Sequence, residues 1–243
     1  MKVLIVSDNF ELVEHFKSVA KCIPYDTASF NYSYSAINKN PKKLIELGMS
    51  FVDMKDCSSV SKIIEKYDLV ISAHCKQIFP PNLVDSIRCI NVHPGLNPYN
   101  RGWYPQVFSI VNGKPVGCTI HLMDSEIDHG AVIYQRKVDV NSYDTSLDVY
   151  RNVISEEKYL ISNHLLDLIS GNYPCEELKT EGNYNSIEDF NALRSLDLSS
   201  EGSLGEHIDL LRALTHGDFN NAYFLDENSE KIYIKISLNK EVL

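Results

Sequence analysis

Short β-branched runs alternate with stretches whose apolar residues recur at three- and four-residue spacing, and the alternation starts at the first residues of the chain. Lys2 to Val6 reads as a strand. The polar turn Ser7-Asp8-Asn9 follows, and then Leu12, Val13, Phe16 and Val19 fall on one helical face within Glu11 to Ala20. The same reading predicts a strand within Ala28 to Ser33, a helix in Pro41 to Gly48 and a strand at Ser50 to Met54. It continues with a helix at Ser58 to Lys66 and strands at Asp68 to Ser72 and Ser86 to Val92. Strands alternating with helices point to a mostly parallel sheet with helices on both faces.

The pattern breaks at residues 94 to 105, where Pro94, Pro98 and Pro105 share the stretch with Gly95, Gly102, Tyr99, Trp103 and Tyr104. That mixture suits neither regular element, and an irregular segment at the carboxyl end of a parallel strand is where α/β proteins bind ligands. Thr119 to Met123 and Val132 to Val140 read as two more strands joined by Asp124 to Gly130. Ser146 to Ile169 reads as a long helix that closes the main domain near Gly171. From Asn172 the texture turns to Ser, Asn, Glu and Asp. This second part, residues 172–243 after a first domain of 1–171, holds a short helix at Ile208 to Leu214 and a hairpin of Ala222–Leu225 with Ile232–Leu238.

Charge narrows the partners. The chain of 243 residues has a net charge of −10. Eight of those charges come from fourteen acidic against six basic residues after Pro174, which leaves the first domain close to neutral. Nucleic acid and anionic membrane are disfavoured, because both need clustered Lys and Arg. The apolar run at the N-terminus is too short for a signal sequence or a membrane span, so a cytoplasmic protein is expected. The six cysteines, at 22, 57, 75, 89, 118 and 175, show no paired spacing and read as reduced thiols.

Candidate chemistry is sparse. The first turn, SDNFEL, lacks the GxGxxG of dinucleotide folds, so no nicotinamide or flavin is expected. No histidine pair has zinc spacing and no GxSxG is present; a cysteine nucleophile at Cys75 or Cys89 has no local signature. What remains is Asn91, His93 and Asp128. An amide can donate to a developing oxyanion, an imidazole can move a proton, and a carboxylate can orient the imidazole. Each also has a plain reading as a strand-end or turn residue.

The stretch Asn91-Val92-His93-Pro94-Gly95, followed by Leu96-Asn97-Pro98-Tyr99-Asn100-Arg101-Gly102, resembles the NxHP signature of formyltransferases that use N10-formyltetrahydrofolate. Gly117-Cys118-Thr119-Ile120-His121, Asp128-His129-Gly130 and Gln135 resemble further elements of that family. The resemblance implies a Rossmann-like formyltransferase domain without GxGxxG, with Asn91, His93 and Asp128 as its catalytic set and no metal. It implies folate held, largely by backbone groups, at Cys75, Lys76, Gln77, Ile78 and Phe79 and at Ser125, Glu126 and Ile127 next to Asp128.

Within that family the acidic tail argues against a tRNA acceptor. The first turn lacks the glycine- and serine-rich phosphate loop of glycinamide ribonucleotide formyltransferases. SDNFEL, CKQIFP and NPYNRGWYPQVFSI are similar to the sugar-nucleotide N-formyltransferases. This implies a dTDP-linked 4-amino-4,6-dideoxyglucose acceptor for O-antigen or related glycans, with the 3-amino isomer or glycinamide ribonucleotide as alternatives, and a homodimer. For such an acceptor Asp8 and Asn9 stand at a helix start, Lys76 and Arg101 supply charge, and Trp103, Tyr104 and Tyr223 supply aromatic faces. Loop packing for Trp103 and Tyr104, and helix capping for Asn9, remain open beside those roles.

Overall fold

The computed structural model describes residues 1–241. The chain runs β1 (Lys2–Ser7), α1 (Phe10–Ala20), β2 (Ser29–Ser35), α2 (Lys42–Glu46), β3 (Ser50–Val52), α3 (Cys57–Lys66), β4 (Leu69–Ala73), α4 (Pro81–Val84) and β5 (Arg88–His93). It continues through β6 (Arg101–Gly102), α5 (Pro105–Asn112), β7 (Val116–Leu122), β8 (Val132–Val138), α6 (Ser146–Ser170), β9 (Tyr184–Asn185), α7 (Ile187–Arg194), α8 (Leu204–Leu214), β10 (Tyr223–Leu225) and β11 (Lys231–Tyr233).

Seven strands form one sheet in the order β3-β2-β1-β4-β5-β7-β8. The first five are parallel, and β7 and β8 add to one edge as antiparallel strands. The α/β class with a mostly parallel sheet is as expected. β1 and β4 are buried on both faces, which is why they read as unbroken apolar runs. Alternate residues serve two cores: Val3, Ile5, Ile71 and Ile90 pack with α1, α5 and α6, whereas Leu4, Val6, Val70 and Cys89 pack with α3 and α4.

The tail is less separate than its composition suggests. Phe190, Ala213, Leu214 and Ala222 are buried in the same core as the sheet. The hairpin is shorter than its apolar pattern, pairing Tyr223–Leu225 with Lys231–Tyr233. Beyond it the chain leaves the ladder, because the Ile236 amide donates to Thr215 Oγ1 at the end of α8. Three helices were hidden in the sequence, one of them the single turn α4. In α5 every residue from Pro105 to Ile110 is buried, Gln106 and Ser109 included, so no amphipathic period marks it. In α7 the cue was local: Ser186 and Asp189 form a capping box. Among the described residues, no helix is long and apolar enough to cross a membrane.

Candidate active site

A cavity of about 730 Å³ opens at the carboxyl ends of β4 and β5. One wall is the loop after β4, residues 74–79, and another is the loop from Met123 to Asp128. Trp103 to Val107, the start of α6 and residues from the tail complete it. This is where the order of a parallel sheet leaves a crevice between diverging loops.

β5 delivers Asn91 and His93 to the cavity, two residues apart and therefore on the same face of the strand. Asp128 comes from the β7–β8 connection and has a left-handed backbone, φ 51°. Asn91 Nδ2 donates to Asp128 Oδ1 at 2.9 Å, the Gly102 amide donates to Oδ2 at 3.2 Å, and His93 Nδ1 lies 3.4 Å from that same Oδ2. His93 is buried, and its Nε2 has no hydrogen-bond partner in the protein. Burial pulls the imidazole down to about 4, opposed by the Asp128 charge, so it is neutral at neutral pH. Burial also works to raise the Asp128 carboxyl. The facing His93, the hydrogen bond and charge of His121 and the Gly102 amide outweigh it and hold Asp128 well below the usual carboxylate range. An ionised carboxylate thus orients a neutral imidazole whose far nitrogen is free.

The other residues of the motifs hold this arrangement in place. Thr119 Oγ1 donates to the Gly95 carbonyl at 2.7 Å, and Gln135 Nε2 donates to Thr119 Oγ1 and to the Asn97 carbonyl. Asn97 Nδ2 in turn donates to the Asp128 carbonyl at 2.8 Å. These bonds tie the irregular segment after β5 to the Asp128 loop. His121 lies 3.3 Å from Asn91 Nδ2 and 3.5 Å from Asp128 Oδ1. Gly95 is required by His93, since a Cβ there would overlap Nε2. A Cβ at Gly130 would overlap the Leu122 carbonyl, so only glycine lets the loop fold back onto β7.

The expected folate segment Cys75, Lys76, Gln77, Ile78 and Phe79, together with Ser125, Glu126 and Ile127, lines the cavity. Burial pushes both Cys75 and Cys89 up to about 12, which leaves neither thiol ionised as a nucleophile. Trp103 and Tyr104 also line the cavity, and Tyr104 packs on Phe190 with ring centroids 4.1 Å apart.

Four residues expected at the acceptor lie outside the lining. The Asp8 carboxylate is filled by the amides of Ser35 and Lys76, Ser35 Oγ and Asn38 Nδ2, and so clamps three loops. Asn9 caps α1 through the Leu12 amide, and its Nδ2 donates to Tyr150 Oη at 2.9 Å. Arg101 pairs with Glu181 and donates to the Ile127 carbonyl, so it braces the Asp128 loop. Tyr223 is on β10, paired with Tyr233. Sequence reasoning missed Tyr184, Ser146, Tyr150, Phe190, His216, Phe219 and Asn221, which all line the cavity. All of them come from the tail or from α6, and tertiary packing alone brings them here.

Residues 5–165 match the family model described as formyl transferase, and residues 189–240 match the N-formyltransferase dimerization C-terminal domain. The chain belongs to the formyl transferase family. A dTDP-4-amino-4,6-dideoxyglucose formyltransferase of Mycobacterium tuberculosis is 42% identical over 241 residues, 99% of this chain and 98% of the relative. The structure of a sugar N-formyltransferase from a Shewanella species shares 53% identity over 100% of this chain and 99% of that one, with a TM-score of 0.97. A 4-N formyltransferase from Francisella tularensis shares 41% identity over 99% and 98% of the two chains, with a TM-score of 0.93. In this formyl transferase both matched segments reach the same cavity: the first carries Asn91, His93 and Asp128, the second Phe190, His216, Phe219 and Asn221.

Proposed function

We propose that the protein moves a formyl group from N10-formyltetrahydrofolate to the amine of dTDP-4-amino-4,6-dideoxyglucose. Likeness along the whole chain to a relative named for that reaction carries the reading. The residues present suit the donor. The loops at 75–79 and 125–127 offer backbone groups beside apolar Ile78, Phe79 and Ile127, a surface for a flat heterocycle, and the catalytic set stands at its edge.

N10-formyltetrahydrofolate supplies an activated formyl carbon, and the side chains do the rest. Asn91 donates one N–H to Asp128 and has the other beside His121 Nε2 at 3.3 Å; it turns that second N–H to the oxygen that gains negative charge as the amine bonds to that carbon. His93 Nε2, unpartnered and neutral, takes the proton that the amine releases. Asp128 stabilises the resulting imidazolium through Nδ1, and Nε2 then returns the proton to the departing folate nitrogen. The proton count closes without a covalent enzyme intermediate.

The same reading makes the protein a cytoplasmic homodimer, joined through its C-terminal segment, whose product enters O-antigen or related surface-glycan synthesis. The residues 189–240 that match a dimerization domain support the dimer. Mixing the enzyme with N10-formyltetrahydrofolate and dTDP-4-amino-4,6-dideoxyglucose is expected to release tetrahydrofolate and a formamido sugar nucleotide in equal amounts. Absence of tetrahydrofolate release with this acceptor would sink the reading.

A further inference from the structure

The cavity extends past the catalytic set to an end formed by α5, the first turn of α6 and the tail, and one side chain there has a defined polarity that the chemistry above does not use. Gln106 Nε2 donates to Ser146 Oγ at 3.4 Å, and Ser146 Oγ lies 3.1 Å from His216 Nδ1. A hydroxyl that accepts from Gln106 has its own proton left to give, and His216 Nδ1 is the acceptor in reach. With Ser146 as the donor, the imidazole proton is assigned to Nε2. Its plane is fixed as well, between Tyr150, edge-on with centroids 5.5 Å apart, and Phe219 at 5.9 Å. Burial, helped by the Arg151 charge, holds His216 below the usual histidine range, so it acts as a neutral donor.

Gln106 and Ser146 are buried, and all three residues line the cavity together with Asn221. His216 is half-buried and its ring reaches the cavity, so its Nε2–H is available to an acceptor bound there. The folate loops are the β4–α4 and β7–β8 connections, which leaves this end to the other substrate.

We propose that His216, set by Ser146 and Gln106, donates its Nε2–H to an oxygen of the nucleotide-linked sugar and is a determinant of acceptor binding contributed by the C-terminal segment. This rests on the acceptor class proposed above. The oxygen belongs either to the pyrophosphate or to the hexose, and the two sources can be told apart.

The test is steady-state kinetics of the full-length enzyme on dTDP-4-amino-4,6-dideoxyglucose, with calorimetric titration of dTDP alone, for the wild type, His216→Phe, His216→Gln and Ser146→Ala. His216→Phe is expected to raise the acceptor KM about tenfold, the worth of one hydrogen bond, with the KM for the folate donor unchanged. His216→Gln, which places an amide N–H near the former Nε2, should recover most of that loss. Ser146→Ala should fall between the two. Weaker dTDP binding by His216→Phe assigns the oxygen to the pyrophosphate, and unchanged dTDP binding assigns it to the hexose; either agrees with the proposal. An acceptor KM unmoved by His216→Phe, or equal rises for both substrates without rescue by Gln, would overturn it. A wild-type enzyme that does not formylate this acceptor would instead remove the functional reading itself.

Discussion

His93 and Asp128 meet at one nitrogen only: Nδ1 stands 3.4 Å from the carboxylate, while Nε2 is buried, unpartnered and turned away from it. The pair is therefore a base with its orienting charge already in place, and its two members fail differently when altered. His93→Asn removes the proton carrier and is expected to cost about 10²–10⁴-fold in kcat. Asp128→Asn leaves the imidazole but takes away the charge that supports its protonated form, and the cost should be similar. Both variants should keep the wild-type circular dichroism spectrum. A loss below about tenfold in either would mean that the roles are misassigned.

Gly95 supports the same nitrogen from the other side. A methyl group there would overlap His93 Nε2, while the Gly95 carbonyl must stay bonded to Thr119. Gly95→Ala is expected to lower kcat by at least about a hundredfold, in the range for loss of a general base, with the KM values little changed. Wild-type turnover in this variant would show that His93 can move without consequence.

Acid stability follows from the burial of His93. Its pKa is about 4 in the folded protein and about 6.5 in the unfolded chain. Between those values the unfolded state binds more protons, so stability is fully present above pH 6.5 and is lost as pH falls toward 4. The loss is about 3 kcal/mol at 1.36 kcal/mol per unit. Chemical denaturation across pH 4 to 7 should show this slope in the wild type and a shallower one in His93→Asn. Parallel profiles would contradict the burial of a neutral imidazole.

Trp103 is partly exposed on the rim of the cavity, against Tyr104, which itself stacks on Phe190 from the tail. Trp103→Ala should raise KM for the sugar nucleotide more than KM for folate. Equal effects on both would reduce Trp103 to loop packing.

How much of this was legible in the sequence depended on whether a residue acts within its own stretch of chain. The buried strands β1, β4 and β5 were visible as apolar runs, and Asn91 with His93 stood out because strand geometry alone puts them side by side. Asp128 became meaningful only with the neighbouring motif residues, which the structure shows bonded to one another. The acceptor end was not legible. Asn9 and Arg101 have the right chemistry for a phosphate, yet Leu12 and Glu181 occupy them, and the Asp8 carboxylate is taken by Ser35. Ser146, Tyr150 and His216 carry no local signal, because α5 and α8 bring them together only by packing on α6. The acidic tail, read first as a reason to exclude nucleic acid, turns out to supply part of the cavity wall.

We propose the 4-amino sugar nucleotide as the acceptor. This proposal is tested most directly by competition, with one limiting portion of N10-formyltetrahydrofolate and equal concentrations of dTDP-4-amino-4,6-dideoxyglucose, its 3-amino isomer and glycinamide ribonucleotide. Mass spectrometry with fragmentation then reads where the formyl group has gone. The 4-formamido sugar nucleotide is expected to dominate; preferential formylation of the 3-amino isomer or of the ribonucleotide would contradict the claim.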